Sequence, residues 1–70
     1  MRIEGLTENL VQLTNDECKW WDEEWQRGSI VYTVNKYGEV TIEAPYPMCS
    51  VDIADLDEVA RVYRSYFNNI

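Results

Sequence analysis

Carboxylates are the most plentiful reactive groups in this chain, and many of them fall in two runs. Asp22, Glu23 and Glu24 are adjacent, and Asp52, Asp55, Asp57 and Glu58 cluster later in the sequence. Two carboxyls facing each other across a cleft could perform acid–base work on a glycosidic bond. A chain of 70 residues rarely encloses the roughly 300–1,000 Å³ that a ligand pocket occupies. The second run also lacks the glycine and the closing glutamate of a calcium loop. The simpler expectation is a solvated helix start, where acids complement the helix dipole. Histidine is absent, so Ser–His and Cys–His nucleophiles and histidine-ligated zinc cannot be built. Cys18 and Cys49 cannot close a structural zinc site alone, and the three glycines form no phosphate-binding pattern. The expectation is a binding protein, not an enzyme, with no catalytic residue, metal or cofactor.

The residues best suited to binding surround Trp20. If 15–26 is a helix, about 100° separates successive residues. Cys18, Trp21 and Trp25 then share one face, and the opposite arc carries Asp16, Trp20, Glu23 and Arg27, flanked by Glu17 and Glu24. An indole left in water costs free energy, so something should cover it. Two readings are open. Either the N-terminal segment or the 45–49 stretch folds over Trp20 and makes it core, or Trp20 anchors a partner while Asp16, Glu17, Glu23 and Glu24 supply charge complementarity. Tyr37, at a turn, is a further candidate contact.

Three elements would position these groups. Ile30, Tyr32 and Val34 alternate with Val31 and Thr33, then Val40, Ile42 and Ala44 with Thr41 and Glu43, which predicts a β-hairpin over 29–44 with one buried face. Asn35-Lys36-Tyr37-Gly38 suits a type I turn whose glycine takes the left-handed conformation. Ile53, Leu56, Ala60, Tyr63 and Phe67 recur at spacings of three and four, predicting a helix over 53–67 with Asp52 as N-cap. Thr14 with Glu17 reads as a capping box, and Gly28 as a C-terminal glycine, for a helix over about 15–26. The segment before it is either a third strand near 9–13 or a helical turn begun at Thr7. The expected fold is a single α+β domain spanning 1–70, with a small antiparallel sheet of two or three strands packed against two helices.

Thirteen acidic residues face six basic ones, for a net charge of −7. Such a field repels nucleic-acid phosphate and anionic membrane surfaces and attracts basic protein surfaces. Neither direct nucleic-acid binding nor membrane binding is expected. No apolar run approaches the roughly 20 residues of a membrane span, and the first residues have no apolar core of a signal peptide. A cytoplasmic chain is expected, as monomer or homodimer, with its two cysteines as thiols. In size, acidity and lack of catalytic residues it is similar to small phage-encoded inhibitors of host defence, such as anti-CRISPR proteins and other DNA mimics. That likeness implies a partner whose basic, nucleic-acid-binding surface the chain occupies. An immunity protein or antitoxin against a basic toxin would use the same physics. A homo-oligomeric subunit of a larger assembly would instead bury the surplus aromatics in a self-interface.

Overall fold

A computed structural model describes residues 1–19, 27–45 and 51–67. Four strands, β1 (Arg2–Leu6), β2 (Leu10–Lys19), β3 (Arg27–Asn35) and β4 (Val40–Glu43), precede a helix, α1 (Ile53–Phe67). The strands form one antiparallel sheet in the order β1-β2-β3-β4, each paired with its neighbour in sequence. The expected sheet of two or three strands with two helices is thus corrected to four strands and one helix among the described residues. The hairpin and the last helix stand where the residue pattern put them.

The difference arises at Asn15–Lys19, read as the start of a helix and found as the end of β2. The pairs Val11↔Val34, Leu13↔Tyr32 and Asn15↔Ile30 continue one ladder. Asn15 therefore occupies the inward position after Val11 and Leu13, where its side-chain amide donates to the Asp55 carboxylate at 2.7 Å. Thr14 caps no helix. Its hydroxyl donates to the carboxylate of Glu4. The helical turn begun at Thr7 is replaced by a tight connection in which the Thr7 hydroxyl accepts the N–H groups of Asn9 and Leu10.

β1 has no counterpart in the sequence reading. Its register shifts between Ile3 and Gly5, so Ile3 faces Leu13 while Leu6 faces Val11. Three residues of β1 thus span what two span on β2. This is a β-bulge, and it hides the two-residue period that marks a strand.

At the other end of the sheet, Asn35 organises the β3–β4 turn. Its side-chain oxygen accepts the N–H groups of Tyr37 and Glu39, and its carbonyl accepts that of Gly38, whose φ is 84°. Only glycine adopts that conformation at little cost.

The core is one layer deep. Val11 and Leu13 from β2, Ile30, Tyr32 and Val34 from β3, and Val59 from α1 are buried, with Val62, Tyr63 and Phe67 packed around them. α1 lies across β2 and β3. A helix is about 10–12 Å wide with its side chains, and strands lie about 4.8 Å apart, so one helix covers about two strands. The outer strands pay for this geometry in exposed apolar surface. Val40 and Ile42 face the same side of the sheet as Val34 and Tyr32, their register partners, yet they are 44% and 42% exposed.

Candidate functional site

The described carboxylates are distributed among separate structural settings. On the sheet face away from α1, Arg2 bridges Glu4 at 2.8 Å and Asp16 at 3.0 Å, and the Ser29 hydroxyl donates to Asp16 at 2.8 Å. The Thr14 hydroxyl, then the Arg2 guanidinium, hold the Glu4 carboxyl below its ordinary pKa. This group of side chains ties β1 to β2, and its charge is largely compensated within itself.

The sign of its pH dependence follows. A depressed carboxyl contributes stability above its unfolded-state pKa, and that contribution disappears as pH falls through the lower folded-state value. Glu4→Gln should therefore lower stability near neutrality and flatten the acid limb. Urea titrations of both proteins across the carboxylate range should show the two curves converging toward low pH. Parallel curves would contradict the assignment.

Asp55 belongs to a second setting. Its carboxylate accepts the Tyr32 hydroxyl at 2.7 Å as well as the Asn15 amide, which ties the start of α1 to the two central strands. Asp52 and Asp57 are exposed on α1 and just before it, and Glu58 lies 4.0 Å from Arg61. The run that looked dense in sequence is therefore divided in space, with Asp55 turned onto a buried tyrosine and the others toward solvent. The backbone start of α1 agrees with Asp52 as its cap residue, since the Asp52 carbonyl accepts the N–H groups of Asp55 and Leu56.

Of the expected partner-binding residues, Tyr37 is 74% exposed at the hairpin tip, with the Lys36 ammonium 5.2 Å from its ring centroid. Asp16 lies on β2 and is engaged by Arg2 and Ser29, so it is not part of a helical arc. Trp20, Glu23 and Glu24 lie outside the described residues, as does the side chain of Glu17. The side chain of Cys18 and the whole of Cys49, expected as thiols, also lie outside the described residues.

A further candidate surface was not singled out from the sequence. Between α1 and β4 runs a groove of about 170 Å³ lined by Val34, Gly38, Val40, Leu56, Val59, Ala60 and Tyr63. The Tyr63 hydroxyl closes one end by donating to the Lys36 carbonyl at 3.3 Å. Leu56 and Ile53 continue the apolar surface outward and are 43% and 78% exposed. Glu39, just before β4, and Glu43, its last residue, lie on the opposite face of this edge, and among the described residues no cation lies within ion-pair distance of either. The volume falls below the roughly 300 Å³ at which small-molecule pockets begin, while an open apolar lane beside an acidic edge strand is the form of a protein contact. The signal available in the sequence was the shortness of β4. A short last strand in a meander stands at the edge, where a single helix does not reach it.

No family model matches the chain, and searches of curated proteins and of solved structures find no relative for it.

Proposed function

We propose that the chain is a small acidic protein-binding domain that occupies a basic surface of its partner, in the manner of an inhibitor competing with nucleic acid. The observation that carries this reading is the lane of Val40, Ile42, Leu56 and Ile53, left open by α1 on an edge strand whose opposite face carries Glu39 and Glu43, on a chain of net charge −7. The apolar strip supplies contact area, and the surplus of carboxylates selects the sign of the partner and speeds encounter. Tyr37 stands beside the lane as an additional contact. On this reading the chain binds without turning over a substrate and works in the cytoplasm, as the composition suggests.

The test begins with the immobilised chain and host lysate at low salt. The captured protein is then purified and its affinity is measured against salt, against duplex DNA as competitor, and against the Ile53→Asp variant. The expected partner is basic, is displaced by duplex DNA, and loses at least about tenfold in affinity between roughly 0.1 and 1 M salt, because exposed charges are screened over that range. Ile53→Asp should weaken binding without altering the fold. Capture of no basic protein, or of one indifferent to salt and DNA, would overturn the reading.

A further inference from the structure

We infer that the outer edge of β4 receives an extended segment of the partner as a fifth strand, one whose apolar residues alternate with basic ones. The inference rests on the function proposed above and adds the mode of binding and the partner's sequence pattern. In β4 the ladder bonds toward β3 are fixed by the Asn35 N–H, which donates to the Glu39 carbonyl at 3.1 Å. Antiparallel pairs alternate between bonded and non-bonded. Thr33↔Thr41 and Val31↔Glu43 are therefore bonded pairs, whereas Val34↔Val40 and Tyr32↔Ile42 are not. The N–H and C=O groups of Val40 and Ile42 consequently point outward from the sheet. No strand among the described residues pairs with that edge.

The two edges of the sheet differ in how they are protected. β1 carries a bulge between Ile3 and Gly5 and the charged pair Arg2 and Glu4, features that discourage strand addition. β4 has a regular register from Val40 to Glu43 and contains neither lysine nor proline. A strand added there would lay alternate side chains over Val40 and Ile42, covering the lane toward Leu56 and Ile53, while its other side chains met Glu39, Thr41 and Glu43 on the opposite face.

Charge decides the occupant. A second copy pairing β4 with β4 about Thr41 would set Glu39 opposite Glu43 twice, and like charges directly opposite are destabilising. Centring the pair on Ile42 instead makes the two Glu43 side chains diagonal neighbours on one face, again a like-charge contact, between two chains of net charge −7. A partner with basic residues opposite both glutamates, apolar residues opposite Val40 and Ile42, and a small polar residue opposite Thr41 meets every position.

The probe is a blocked peptide containing Lys-Val-Thr-Val-Lys, whose palindromic pattern serves either strand direction. Its controls are the same peptide with glutamate for both lysines and one with both valine amides N-methylated. With ¹⁵N-labelled full chain, the basic peptide should bind saturably with a dissociation constant at or below about 1 mM. At saturation the exchange of the Val40 and Ile42 amide protons should slow at least about tenfold, since those groups become bonded. Both controls should bind at least about tenfold more weakly. The double variant Glu39→Lys with Glu43→Lys should reverse the preference and bind the glutamate peptide, which also reports that it folds; Glu39→Gln with Glu43→Gln should lose discrimination. Absence of saturable binding, equal affinity for all three peptides, or unchanged exchange at Val40 and Ile42 would overturn the inference. Protection of these amides without peptide, together with a doubled mass in sedimentation, would overturn it in favour of a second copy. If the peptides fail while a basic partner still binds in a salt-dependent manner, edge pairing alone falls; loss of both removes the broader reading as well.

Discussion

Tyr32→Ala should abolish the cooperative unfolding transition at 25 °C, whereas Tyr32→Phe should fold and lose only about 1–2 kcal/mol. Tyr32 sits at the centre of β3, flanked by Leu13 on β2 and Ile42 on β4, and among the described residues it is the largest of the fully buried side chains. Removing a buried aromatic ring costs about 3–5 kcal/mol, which matches the entire margin of roughly 3–5 kcal/mol that a core this small supplies. The cavity cannot be filled cheaply, because the layer has a single helix above it and that helix is anchored by the same residue. Phenylalanine keeps the ring and removes the hydroxyl that donates to Asp55. The Asn15 amide still reaches that carboxylate, which is also only partly buried, so the loss lies toward the lower end for a hydrogen bond to a charged group. Urea titration followed by near-ultraviolet circular dichroism measures both variants. A Tyr32→Ala protein with a sharp transition at more than half the wild-type midpoint would show that the core is deeper than one layer.

The same residues explain how much of the molecule was legible in its sequence. The turn at Asn35–Gly38 and the helix at 53–67 were readable because their signals are local: an asparagine and a glycine at fixed offsets, and a stripe repeating every three or four residues. Residues 15–19 were not, because the inward position after Leu13 holds Asn15, and a polar residue there ends the visible alternation. What makes it tolerable is Asp55, forty positions away along the chain, and no local pattern reveals such a partner. Thr14 and Glu17 meanwhile mimic a helix cap. β1 was hidden by its bulge. The charge of the chain and the exposure of Tyr37 were accessible from composition and turn type. The lane along β4 was not, since Val40, Ile42, Ile53 and Leu56 all carry the pattern of core residues. Whether such residues are covered depends on how many strands one helix can span.

That distinction divides the apolar stripe of α1 into two parts with opposite expected behaviour. Val59→Asp should unfold the domain, while Ile53→Asp should change its stability by no more than about 0.5 kcal/mol. Val59 is the one fully buried residue of α1, so aspartate there would be an uncompensated charge in the core, a fault that costs about 3–5 kcal/mol. It would also stand one turn from Asp55, a like-charge pair that weakens the helix further. Losing α1 uncovers Val11, Leu13, Ile30, Tyr32 and Val34 together, so the sheet has no folded state to retreat to. Ile53 is 78% exposed in the first turn of α1, where a new carboxylate interacts favourably with the helix dipole. Leu56→Asp falls between the two, at about 1 kcal/mol, because its side chain lines the groove beside Val34 and Val59 while remaining partly open. Differential scanning calorimetry of the three variants orders them directly. If Ile53→Asp proved as damaging as Val59→Asp, the outer half of the stripe would be core after all, and the lane beside β4 would have no free apolar surface to offer a partner.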